Sequence, residues 1–156
     1  MIADDLDVFV HSIDNYFKVS CDSPARVGTP FLTTNASEHM ADYTGCITIS
    51  GNYRGAVFFS APERMLMRIL RELGLVSTQH SKLMDLVGEI SNILSGNARK
   101  EFGEDFNIMP PKNFHGSGSN APHTNVKKIF VIPIEWHELT ANLIVNLETD
   151  DTLMAA

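Results

Sequence analysis

Residues 81–102 (SKLMDLVGEISNILSGNARKEF) contain no proline and repeat apolar side chains at the helical period. A long amphipathic helix must therefore organise the fold. Counted at about 100° per residue from Asp85, the side chains of Leu86, Val87, Ile90, Ile93, Leu94 and Ala98 fall between about 80° and 220°. On the opposite side stand Asp85, Glu89 at about 40° and Asn92 at about −20°. Spacings of four and then three stack these three polar groups in one column along the axis, and Arg99 extends it. Gly103 supplies the stop.

The segments around this helix predict an α+β domain. Leu6, Phe9, Val10, Ile13 and Phe17 recur at helical steps, with Asp4, Asp5 and Asp7 at the end where the helix dipole favours acids. Residues 27–34 are a strand candidate interrupted by Pro30. Between residues 42 and 60, two β-rich runs flank Gly51-Asn52-Tyr53-Arg54-Gly55, a hairpin pattern. Pro62 opens a second helix that ends near Leu73 and Gly74. After Pro110-Pro111, residues 113–125 are rich in Gly, Ser, Asn and Pro and read as a loop. Strands over 128–136 and 139–147, joined through His137 and Glu138, complete a mostly antiparallel sheet with flanking helices. The expected organisation is a single domain over residues 1–148 followed by a flexible tail over 149–156.

Charge and composition exclude several functions. A net charge of −7 opposes binding to phosphate backbones or anionic lipid, so neither nucleic acid nor membrane is an expected partner. No apolar run approaches the ~20 residues that span a bilayer, and Met1-Ile2-Ala3-Asp4-Asp5 lacks a secretory pattern. Cys21 and Cys46 have no CxxC spacing and are expected as reduced, half-buried thiols in a cytoplasmic protein. His11, His39, His80, His115, His123 and His137 never pair at i, i+3 or i, i+4, so no metal site is expected. There is no Gly-x-Ser-x-Gly elbow, and Gly116-Ser117-Gly118 has no lysine in phosphate-loop register. Met65 and Met67 read as core or interface filler, and Lys127-Lys128 as solvated.

Gly88 and Gly96 also map to the polar column, each costing a helix ~1 kcal/mol relative to alanine. One explanation is tight packing against another element of the same chain, and the other is close approach of a partner. The first would bury Asp85 and Glu89 together, which costs several kcal/mol per unpaired carboxylate. An exposed docking face is therefore expected.

Asp85-x-x-x-Glu89-x-x-Asn92 resembles the D/S-x-x-x-E-x-x-N signature of the CheC, CheX and FliY phosphatases of bacterial chemotaxis. Around it, Gly88-Glu89-Ile90-Ser91-Asn92, Gly96, Ile108-Met109-Pro110-Pro111 and the upstream Ile47-Thr48-Ile49-Ser50-Gly51…Gly55-Ala56-Val57-Phe58-Phe59 resemble the CheX type in order and spacing. CheC-type chains carry two signatures, whereas the first helix here, with Ser12-Ile13-Asp14-Asn15, has none. The resemblance implies hydrolysis of the phosphoaspartate of a CheY-like receiver. Asn92 would position the attacking water and Glu89 would pair with a receiver lysine. Asp85, Gly88, Gly96 and Arg99 would form the docking surface. It also implies no cofactor of the chain's own, Mg²⁺ in the partner receiver, and a homodimer. The apolar runs Phe130-Val131-Ile132 and Leu143-Ile144-Val145 are the expected sheet edge for that dimer. The alternative is a domain of the same fold that binds a receiver without hydrolysing its phosphoryl group.

Overall fold

The hairpin around Gly51 forms the middle of one antiparallel sheet in a computed structural model that describes residues 3–116, 121 and 124–150. In chain order the elements are α1 (Ala3–Ser20), β1 (Arg26–Val27), β2 (Phe31–Thr33), a 3₁₀ turn (Ala36–His39), β3 (Tyr43–Gly51) and β4 (Tyr53–Ala61). They continue with α2 (Glu63–Glu72), α3 (His80–Phe102), β5 (Phe106–Ile108), β6 (Lys112–His115), β7 (Ile129–Trp136) and β8 (Leu139–Thr149). The strand order is β1-β7-β8-β4-β3-β5, with β2 also on β7 and β6 also on β3. This is an α+β fold, and every strand pair is antiparallel.

Both sheet faces are covered. On one face Ile47, Val57, Phe59, Leu143 and Val145 join Phe9, Ile13, Leu66, Ile69, Leu86, Ile90 and Leu94 of the three helices in the main core. On the other, Cys46, Phe58, Val131 and Ile144 form a second cluster against Met40, Phe114, Ala121 and Ile129. Alternate residues of β4, β7 and β8 thus enter different cores, which is why these strands are continuous apolar runs rather than alternating ones. This corrects the expectation of a dimer edge at Phe130-Val131-Ile132 and Leu143-Ile144-Val145. β8 is paired on both sides by β4 and β7, and β7 is paired by β8 and by β1 and β2. Among the described residues, the outermost strands of the sheet are the short ones, β1, β2, β5 and β6.

Three other expectations change. The strand candidate over 27–34 is split into β1 and β2 around Pro30, which has no N–H to donate. Part of the expected loop is strand: β6 pairs Asn113 with Gly45 and His115 with Tyr43. The rest of that loop falls partly on 117–120 and 122–123, which lie outside the described residues, as does 151–156 of the expected tail. β8 itself runs to Thr149. The β7–β8 turn is as short as expected, with His137 and Glu138 both at positive φ, 49° and 65°. That pairing of left-handed conformations matches the twist of the strands it joins.

Candidate functional site

α3 lies on the sheet because its inner side carries what the sheet can receive. Leu83, Leu86, Val87, Ile90, Leu94 and Ala98 are buried, and so are the small residues Gly88, Ser91 and Ser95. The Ser91 hydroxyl lies 3.0 Å from the Gly45 carbonyl of β3 and 2.9 Å from the Val87 carbonyl of its own helix. From the other flank, the buried Ser12 of α1 donates to the Leu94 carbonyl at 2.9 Å. The hydroxyl of the Ser12 segment is therefore an inward tie between helices. At the C-terminal end, Gly103 takes φ 101° and its N–H caps the Arg99 carbonyl at 2.8 Å.

This mounting leaves Asp85, Glu89 and Asn92 exposed in one column, with Leu86, Ile90 and Leu94 buried beneath. No ion pair joins Glu89 to a cation among the described residues. The nearby α1 phenol of Tyr16 is buried, and its pKa is pushed up chiefly by that burial, then by the Cys21 thiol and the Glu89 carboxylate. The Glu89 charge is thus felt at Tyr16, a coupling between α3 and α1 that no spacing in the sequence reveals.

Gly88 does not belong to the exposed column. It is buried, and a Cβ there would run into the Asn113 amide of β6, 2.7 Å from its Cγ. For this glycine the tight-packing explanation is the right one. The helical wheel sets Gly88 on the column, at about −60°, and β6, hidden in a polar stretch, covers that flank of the helix. Gly96 differs: nothing stands within 4 Å of its Cβ position, so the helix surface there is open.

Arg99 is exposed, yet its donors turn toward its own chain. Nε donates to the Phe106 carbonyl at 3.0 Å and an Nη to the Glu104 carbonyl at 3.3 Å. It latches the end of α3 to the approach to β5. Between them a groove of about 630 Å³ opens beside Asn92, with Gly96, Arg99 and Lys100 along one wall and Gly103, Glu104, Asn107 and Ile108 along the other. Lys100 and Asn107 were not singled out by sequence, since neither belongs to a motif.

The arrangement offers a carboxylate and a carboxamide one helical turn apart, pointing outward from a rigid support. Such a pair can accept hydrogen bonds at the carboxylate and both accept and donate them at the carboxamide, toward a partner's polar groups or a water molecule. Both cysteines are free and buried, and burial raises each thiol to about 11. Neither is therefore an activated nucleophile. Among the described residues no group of three or more His, Cys, Asp or Glu side chains is arranged to hold a metal. None of the described helices is long and apolar enough to cross a membrane.

The family model for the chemotaxis phosphatase CheX matches residues 43–135, more than half of the chain and all of α3. The chain belongs to the CheX family. Solved structures of similar fold include a CheC-like superfamily protein from Shewanella sp. PV-4. It is 22% identical, with a TM-score of 0.82 over 95% of this chain and 99% of that one. The chemotaxis protein CheX of Vibrio vulnificus is 23% identical, with a TM-score of 0.81 over 94% and 100%. The CheX–CheY–BeF₃–Mg²⁺ complex of Borrelia burgdorferi contains a chain 12% identical, with a TM-score of 0.72 over 92% and 97%. At these identities the likenesses establish a shared CheX/CheC-like fold. No curated protein matches the sequence.

Proposed function

We propose that this chain is a phosphatase for the phosphoaspartate of a CheY-like response-regulator receiver. The observation that carries the reading is the exposed Glu89–Asn92 pair on one face of α3 in a chain of the CheX family. The complex from Borrelia burgdorferi, in which CheX meets CheY with BeF₃ and Mg²⁺, supports the choice of partner and the assignment of the metal to the receiver.

The chemistry asks little of the chain beyond placement. A water oxygen bonds to phosphorus in line as the acyl-phosphate P–O bond breaks, releasing inorganic phosphate and the aspartate carboxylate. Phosphoryl transfer of this kind is accelerated mainly by positioning and charge stabilisation. The Asn92 carboxamide accepts from the water and donates to a phosphoryl oxygen, and it brings no charge to an anionic centre. Glu89 pairs with the receiver's active-site lysine and fixes the docked orientation. Asp85 supports the same face, and the open surface at Gly96 admits the partner's backbone. Arg99 contributes by shaping the groove rather than by meeting the phosphoryl group.

We extend the reading to a cytoplasmic homodimer that needs no cofactor of its own. Phosphate release from a panel of phosphorylated CheY-like receivers, with and without the protein, tests the central claim. Accelerated release that Asn92→Ala abolishes supports it. A wild-type protein that binds a receiver and leaves its dephosphorylation rate unchanged replaces it with the scaffold alternative.

A further inference from the structure

α2 carries a basic face apart from the polar column of α3. Arg64, Arg68 and Arg71 are spaced four and three apart, which puts three guanidinium groups on one helix face. With the β7–β8 turn they line a pocket of about 290 Å³ that also includes His137 and Glu138. In a chain with 19 acids and 12 Lys and Arg, cations find carboxylates easily. Yet none of these three arginines forms an ion pair among the described residues. Glu72, four residues after Arg68, instead lies near enough to Cys21 to help raise its thiol pKa.

Arg68 adds an independent sign of a ligand. Its Nε is buried with no hydrogen-bond partner among the described residues. Its guanidinium carbon sits 5.9 Å from the centre of the Trp136 ring, which is itself buried. An indole face supports a cation but satisfies no N–H. His137 Nε2 is held 2.9 Å from the Ser23 hydroxyl, which fixes the turn at the pocket wall. Three guanidinium groups lining one pocket match the several oxygens of a dianion, because each presents a planar fork of donors. A single carboxylate would occupy one fork. The Glu138 carboxylate on the same wall is an acceptor, suited to a hydroxyl rather than to a second phosphate.

We propose that this pocket binds a small soluble phosphate monoester, with its phosphoryl oxygens on Arg64, Arg68 and Arg71 and a hydroxyl of its organic part on Glu138. The site is separate from Glu89 and Asn92, and the proposal does not depend on phosphatase activity.

Trp136 is the chain's single tryptophan, so its fluorescence reports directly on Arg68. Titration at low ionic strength with ribose 5-phosphate should give a saturable change. Inorganic phosphate should give the same change at higher concentration, and ribose, or NaCl at matched ionic strength, should give none. The double variant Arg64→Ala, Arg71→Ala alters two exposed side chains and should weaken binding roughly tenfold or more. Its fold is checked by circular dichroism. Glu138→Gln should leave inorganic phosphate binding in place and reduce the preference for the sugar phosphate. Asn92→Ala should bind like the wild type, which separates this result from the outcome at α3. The proposal is overturned by the absence of a saturable change, by an equal response to NaCl, or by unaltered binding in the double variant. Capture by phosphatidic-acid vesicles with no response to the soluble ester overturns it too.

Discussion

The Ser91 hydroxyl and the Gly45 backbone touch: the hydroxyl lies 3.0 Å from the Gly45 carbonyl, and a Cβ on Gly45 would stand 2.5 Å from the Ser91 hydroxyl oxygen. The same Cβ would stand 2.6 Å from the Val87 carbonyl. One of these neighbours is a side chain that can be removed, and the other is helix backbone that cannot. Gly45→Ala should therefore destabilise the protein by about 1–3 kcal/mol, the usual cost of overpacking. Adding Ser91→Ala should restore only part of it. Urea unfolding midpoints of the single and double variants measure both effects, and full rescue would show that the Val87 contact carries no weight.

Gly88 and Gly96 should respond to alanine with opposite signs. Gly88→Ala drives a methyl group into the Asn113 amide, whose Oδ1 is buried and has no hydrogen-bond partner among the described residues. Stability should fall, and Asn113→Ala should recover much of the loss because the two sites share one space. Gly96→Ala meets open space and should gain up to about 1 kcal/mol from helix propensity. If a receiver approaches there, the same variant lowers dephosphorylation while raising the melting temperature.

If α3 presents the proposed docking face, Glu89 and Asn92 should fail in different ways. Asn92→Ala should leave receiver affinity largely intact and cost ~3–4 kcal/mol of activation energy, roughly a hundred- to a thousand-fold in rate. Glu89→Ala should weaken binding as well, and added salt should imitate part of that weakening. Arg99→Ala removes the latch on the Phe106 and Glu104 carbonyls, so its main effect should be a lower unfolding midpoint. Single-turnover dephosphorylation at saturating and subsaturating receiver distinguishes the three.

The two thiols set an alkaline limit. Cys21 and Cys46 are raised from 9.0 to about 11 by burial, so the folded state holds these protons more tightly than the unfolded chain. Their contribution is fully present below pH 9 and is lost as pH rises through about 11. Denaturant titrations should show stability falling across that window, less steeply in Cys46→Ala. Thiol reagents at pH 8 should modify neither cysteine until the protein unfolds.

How much of this was legible in the sequence depended on where periodicity speaks. α3 and its polar column follow from a 3.6-residue repeat over more than twenty positions, and the β7–β8 hairpin from two long apolar runs. β5 and β6 were hidden because strands of three and four residues, FNI and KNFH, carry too few side chains to alternate visibly. With β6 invisible in the sequence, the helical wheel alone sets Gly88 on the open face. The apolar runs of β7 and β8 read as an interface because sequence does not reveal that this sheet has two cores.

Because Glu89 and Asn92 share one helix, their spacing is a property of the helix as a ruler, about 5–6 Å between Cβ atoms. Sheet breathing, loop motion or a loosened α1 can tilt the ruler without changing its divisions. A site assembled from several loops drifts out of register before its scaffold melts. Here the pair should keep its separation to the temperature at which α3 itself unwinds, so that gradual thermal losses of the proposed phosphatase activity originate in docking rather than in the spacing of the two side chains.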